Sequence, residues 1–286
     1  MAIDAKMIKE LREKTGMGIT QCKKALEECG SDMERAEMNL RKQGLDKAAK
    51  KADRPTGQGV VAIRHEGDLA AMIELACEQE PTTNNERFIA LVNLGLDAAL
   101  KNRVKDADAL LKASTPDGTF ADSIKATIGV VGENIQLRKA YTMAAPAGGL
   151  IGYYAHFNKK AGAMVALKLD GIDPSHEGVK TAANDISMHS VAARPLAWSR
   201  EGIDPATLAK EKEVMMEEVK TKPANIQEKI MEGKVNKFYG DKVLPEQLYV
   251  KDPEGKTTVR QHLDKTAKDA GGKADIADFV RFELGL

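Results

Sequence analysis

The chain is poor in cysteine, has no long apolar run and carries no excess of either charge. Cysteine occurs three times in 286 residues, as Cys22, Cys29 and Cys77. An odd count without a CxxC pair excludes a disulfide framework and a zinc site of ordinary spacing. Cys22 and Cys29 lie seven apart on one helical face, which fits buried thiols; a paired redox switch is the alternative. No apolar stretch approaches the length that spans a bilayer. The N-terminus is amphipathic and carries acids, unlike a signal or transit peptide, so a cytoplasmic protein is expected. Lys and Arg total 43 against 43 Asp and Glu. That balance argues against a dedicated nucleic-acid or membrane binder. Residues 1–54 hold 13 basic and 10 acidic groups, a small local excess.

Catalytic patterns are missing as well. There is no GxxxxGK[ST] phosphate loop, no HExxH and no GxSxG. The five histidines, His65, His156, His176, His189 and His262, are scattered without ligand spacing. The glycines of Thr15-Gly16-Met17-Gly18 have no lysine and no preceding strand to build an anion cradle. No catalytic residue, metal or cofactor is expected, and the single Trp198 is expected to pack.

What is present begins with helical period. Ile3, Met7, Ile8 and Leu11 share one face, and Gly16 and Gly18 break the helix. Cys22, Ala25, Leu26 and Cys29 form a second stripe, closed by Gly30. Ser31 and Glu34 read as a capping box opening a third helix with Met33, Ala36 and Leu40 inside. So small a bundle has little core, and one face is expected to dock. Residues 44–58, charged and ending in Pro and Gly, read as a partly helical linker. The period then changes. Val60–Ile63 and Ala70–Ala76 flank the turn residues His65-Glu66-Gly67-Asp68, a hairpin signature. Helices follow with Phe88, Val92, Leu96 and Ala99, then over 120–131. Residues 150–170 repeat the hairpin pattern of 60–78, with His156 near the turn and a helix from about Val179 to Val191. Two related α/β subdomains with antiparallel sheets are expected. Leu208, Met215 and Val219, then Ile226, Ile230 and Phe238 across Pro223, predict an antiparallel helical hairpin. Val243–Val250 reads as strand or loop, Thr257–Leu263 as a short helix and Asp278–Leu284 as a terminal strand.

The stretch Leu11–Leu26, LREKTGMGITQCKKAL, closely resembles the first signature of elongation factor Ts. Lys47–Lys51, Val131–Arg138 (VGENIQLR), Met188–Ala193 (MHSVAA) and Phe279–Gly285 (FVRFELG) resemble further family segments in the same order. The resemblance covers essentially the whole chain. It implies an α+β, multidomain architecture with a ubiquitin-associated-like three-helix bundle and an inserted coiled-coil arm. The divisions expected are 1–54 for the docking domain and linker, 55–145 for one core subdomain, 146–198 with 240–286 for the other, and 199–239 for the arm. It also implies a guanine-nucleotide exchange factor without covalent chemistry. Its partner would be elongation factor Tu, GDP-bound or nucleotide-free, and pairing of two Tu–Ts complexes is left open.

Site residues follow from the resemblance by position. The family's N-terminal helices contact the GTPase, which points to Arg12, Ile19, Thr20 and Lys23, although Ile19 as a bundle staple and Lys23 as a solvated charge are the plainer alternatives. The family histidine that faces the partner matches His156, which is equally readable as a strand-end histidine. A family loop, T-D-F-V, enters the GTPase near its magnesium site. Its positions here are Gln79, Glu80, Pro81 and Thr82. Glu80 keeps a carboxylate on a longer stem, and Pro81 keeps bulk without an aromatic wedge. Either a rigid Glu-Pro loop performs the same displacement, or the chain is a Tu-binding or chaperone-like module with weak exchange. Some family members continue with a further helical module, so ending at Leu286 is expected to remove one contact.

Overall fold

The computed structural model describes residues 4–286, apart from the side chains of Leu45 and Lys47. Ile3, assigned above to the first helical face, lies outside the described residues. The chain forms two compact units. The first runs to Arg64 and includes Ala71–Thr142 and Glu283–Leu286; the second comprises His65–Ala70 and Met143–Phe282.

The first unit opens with α1 (Ala5–Thr15), α2 (Ile19–Glu28) and α3 (Met33–Ala49). Leu11, Cys22, Leu26, Ala36 and Leu40 are sealed inside this bundle. The cap of α3 differs from the expected one. Asp32, not Ser31, accepts from Arg35 N–H at 3.0 Å. Gly30 and Ser31 both take positive φ, 65° and 67°, and Ser31 N–H closes the end of α2 on the Leu26 carbonyl. Ser31 is therefore spent on stopping one helix and is turned away from starting the next. Cys29 is only half-buried, whereas Cys22 is fully enclosed; both are free thiols. The third helix also outruns its expected end. Gly44, the first residue of the expected linker, sits inside α3 where that helix packs on α6, and a Cβ on the facing Gly129 would lie 2.7 Å from Gly44 Cα.

Next come β1 (Gln58–Glu66) and β2 (Leu69–Cys77), joined by a two-residue turn in which Gly67 has φ 56°. Then follow α4 (Glu86–Asn102), α5 (Ala107–Lys112), the short pair β3 (Ser114–Thr115) and β4 (Gly118–Thr119), α6 (Phe120–Val131) and β5 (Ile135–Ala144). The sheet order is β1-β2-β5. Phe88, Leu91, Leu96 and Ala99 of α4 and Phe120, Ile124 and Ile128 of α6 are buried, and α3 packs along α6.

The second unit is built from β6 (Leu150–Ala155), β7 (Ala161–Asp170), α7 (Glu177–Ala193), α8 (Pro205–Val219), α9 (Ala224–Lys242), α10 (Val259–Asp269) and β8 (Lys273–Glu283). Its sheet order is β6-β7-β8, so each sheet is a hairpin completed by a strand from beyond a helix. β6 and β7 are antiparallel, with Gly152 opposite Val165. α8 and α9 pack on each other, with Glu218 and Lys234 paired between them. Near their base Ala197, Ile203, Phe238 and Val243 make a small separate core. Trp198 was expected to pack; it is 40 % exposed, because it alternates with buried Ala197 on an extended segment. Residues 243–250 hold a 3-10 turn, Leu244–Glu246, rather than a strand. The terminal strand starts five residues earlier than Asp278.

His189 is fully buried against this turn. Val250 N–H donates to its Nδ1 at 3.2 Å, so Nε2 carries the proton and donates to Gln247 Oε1 at 3.0 Å. Burial holds His189 below the ordinary imidazole value, against an opposing pull from Gln247. Burial also lowers His262, which faces Asp185, Lys265 and Lys251. Both groups bind protons less readily folded than unfolded. Their contribution is therefore fully present above about pH 6.5 and is lost as pH falls toward the folded values. The urea midpoint is expected to be lower at pH 5.5 than at pH 7.5. A flat profile would contradict it.

Candidate functional site

Between β2 and α4 the chain makes a tight 3-10 turn, Glu80–Asn84. Pro81 occupies its first turn, where the missing N–H is not needed and φ is already set. Gln79, Glu80 and Pro81 are exposed, while Thr82 is 6 % exposed and points inward. The turn closes on itself: Thr82 N–H reaches the Gln79 carbonyl at 3.2 Å, and Thr83 Oγ1 donates to the Glu80 carbonyl at 2.7 Å. Asn85 then caps α4, accepting from Arg87 N–H at 2.9 Å. Phe88, fully buried, roots the helix behind the turn.

The stem of the turn is held from the connection between α6 and β5. α6 stops at Gly132, whose φ of 84° suits glycine. The next residue, Glu133, accepts Gln79 N–H on Oε2 at 3.1 Å. Glu78 accepts Asn134 N–H at 2.7 Å. Lys51 donates to the Gly132 carbonyl.

The bundle candidates lie on exposed positions of α1 and α2. Ile19 is 57 % exposed, so it does not staple the bundle. Arg12 and Thr20 are exposed, and Lys23 faces Glu27 at 3.9 Å, a solvated pair of little weight. The turn between those helices meets the start of α4. A Cβ on Gly16 would lie 2.7 Å from Arg87 Cζ, so the guanidinium covers the end of α1, where carbonyl dipoles favour a cation. The first-unit candidates therefore belong to one body. His156 belongs to the second unit. It sits at the end of β6, half-buried, with Nδ1 3.0 Å from Tyr154 Oη and its ring 4.5 Å from that of Phe157.

Sequence reasoning singled out no role for Glu133 and Asn134, and it passed over Arg87 and Phe157. Phe157 is 87 % exposed. Its place among the polar residues of a hairpin turn is a sequence signal of a side chain that cannot reach a core. Among the described residues no group of three His, Cys, Asp or Glu side chains is arranged to hold a metal ion. No helix of the described residues is long and apolar enough to cross a membrane.

A model of the family described as Elongation factor TS matches residues 82–286. The elongation factor Ts of Nautilia profundicola is 40% identical over 99% of this chain and 93% of its own length. That of Nitratiruptor is 38% identical over 100% of this chain and 94% of its own. That of Chlamydia trachomatis is 36% identical, covering 97% of both. The signature LREKTGMGITQCKKAL thus stands in a chain whose relatives match it from end to end, and the chain belongs to the elongation factor Ts family, among the elongation factors of protein biosynthesis.

Proposed function

We propose that this chain binds the translational GTPase elongation factor Tu, GDP-bound and nucleotide-free, and speeds release of GDP. One observation carries this reading: the Glu80–Asn84 turn is exposed at its tip yet hydrogen-bonded at its stem and rooted by buried Thr82 and Phe88. A loop held this way transmits force to a partner instead of yielding to it. Magnesium needs near-ideal octahedral geometry, so a small displacement around it weakens the bound nucleotide. By linkage, a protein that prefers the nucleotide-free GTPase lowers its affinity for GDP by the same factor.

Gln79, Glu80, Pro81 and Thr82 form the loop that presses toward the magnesium site. Arg12, Ile19, Thr20 and Lys23 form the docking face of a ubiquitin-associated-like bundle, and His156 makes a further contact. The α8–α9 hairpin is an antiparallel coiled-coil arm, inserted between the parts of the second core subdomain, with the divisions given above. No covalent bond is made or broken and no cofactor takes part. The work is done in the cytoplasm, without direct contact to nucleic acid or membrane.

Stopped-flow release of a fluorescent GDP from the cognate Tu tests the proposal. A saturating excess of this chain is expected to raise the rate about 10- to 100-fold, the scale of a coupling of 1–3 kcal/mol. Tight binding without acceleration would sink it. That outcome would favour the second reading, a Tu-binding or chaperone-like module with weak exchange, whose basis is Pro81 standing where the family has an aromatic wedge. A Pro81→Phe variant that speeds GDP release beyond the parent would support that weakened wedge.

A further inference from the structure

The Gly132–Asn134 step that holds the stem of the turn also reaches the segment leaving the bundle, and so joins two parts of the first unit. Asn134 is 2 % exposed. Its side-chain amide spends both protons on the segment that leaves the bundle, donating to the Ala52 carbonyl at 3.1 Å and the Arg54 carbonyl at 2.7 Å. Its backbone N–H goes to Glu78 Oε1 at the stem of the exposed turn. The other oxygen of Glu78 faces Arg54 at 3.6 Å. Glu133, one residue before Asn134, takes Gln79 N–H, the last backbone donor before the turn. One two-residue step therefore grips the bundle's exit segment and the stem of the Gln79–Thr82 loop at once. Carboxylates accepting backbone N–H groups make stronger bonds than neutral acceptors, and a buried amide without its partners costs the whole desolvation penalty. The connection therefore resists slipping.

We propose that Glu78, Glu133 and Asn134 are positioning residues for nucleotide exchange: they lock the loop to the bundle so that docking energy is delivered at the loop tip. This rests on the exchange reading above. Without the lock the bundle still docks, but the loop recoils when it meets the GTPase. The loss then falls on the rate at saturation rather than on the concentration needed to saturate.

The test compares wild type with Glu133→Ala, Glu133→Gln and Asn134→Ala, measuring GDP release from Tu across a concentration series and thermal unfolding of each variant. Glu133→Ala is expected to lower the saturating rate about tenfold while the half-saturating concentration moves less than about threefold, a split that separates positioning from binding. Glu133→Gln keeps a carbonyl acceptor for Gln79 N–H and is expected to restore most of the rate. Asn134→Ala is expected to repeat the rate loss. An unchanged saturating rate in Glu133→Ala, with wild type active, overturns the lock and leaves exchange standing. So does a change confined to half-saturation, or a rate loss matched by a general fall in the unfolding midpoint. If wild type itself gives no acceleration, the exchange reading fails and the lock fails with it.

Discussion

A Gly152→Ala variant is expected to unfold at a markedly lower temperature, with no rescue from trimming its neighbour. Gly152 lies in β6 where α7 crosses the sheet. A Cβ there would stand 2.2 Å from the carbonyl carbon of Ala183 and 2.4 Å from its oxygen. Overpacking a core ordinarily costs about 1–3 kcal/mol, because side chains and backbone give way a little. Here the obstacle is helix backbone, which yields only if α7 lifts off Val165 and Leu167, so about 3 kcal/mol or more is expected. For a body of this size that corresponds to a midpoint lower by roughly 6–12 °C. Ala183→Gly removes only a methyl group, leaves the carbonyl in place and itself weakens α7 by about 1 kcal/mol, so the double variant should be at least as unstable as the single one. Calorimetry showing an unchanged midpoint for Gly152→Ala would refute the close packing.

Phe120→Ala is expected to have a comparable effect on the first unit, with a different signature. Phe120 opens α6 and is fully buried. Its removal should cost about 3–5 kcal/mol, transfer and cavity together. The ring packs where Gly95 of α4 leaves room: a Cβ on Gly95 would lie 2.7 Å from Phe120 Cζ and 3.0 Å from Ile73 Cδ1. Gly95→Ala alone is therefore destabilising, even though alanine is favoured over glycine inside a helix by about 1 kcal/mol. In the Phe120→Ala background the new methyl group enters the vacated space. The second substitution should then be neutral or stabilising, and the cycle should show strong coupling between the two positions. Simple additivity in denaturant titrations would rule this out.

Short-range order was legible wherever one face carried a period. The stripes through Leu11, Leu26 and Leu40, the hairpin turn at Gly67 and the helices behind Phe88 and Val179 all depend on neighbours within a few residues. Features decided by distant partners were not. Residues from Gly44 read as a linker, yet α3 continues to Ala49 with Gly129 of α6 against Gly44. Ser31 and Asp32 are both good caps, and the choice between them is made by how α2 ends. β5 alternates poorly because Gln136 and Arg138 serve the segment around Thr56 rather than a solvent face. The residues of the candidate loop could be named by resemblance, but the means of holding it could not. Gln79 and Glu133 are 54 positions apart, and Asn134 and Ala52 are 82 apart. Nothing in a linear string joins a GEN step to a loop stem and a bundle exit.

The order of the strands bears on how the protein is made. The sheet β1-β2-β5 has all its members once residue 144 has emerged from the ribosome. The sheet β6-β7-β8 has not: β7 ends at Asp170 and its second neighbour begins at Lys273. For the time it takes to synthesise the intervening hundred or so residues, at about 5–20 residues per second, one edge of β7 has no strand beside it. An open edge of that kind invites pairing with a neighbouring chain. The nascent second sheet is thus exposed to misassembly for roughly 5–20 seconds, on the same synthesis rate, while the first sheet already has all its strands.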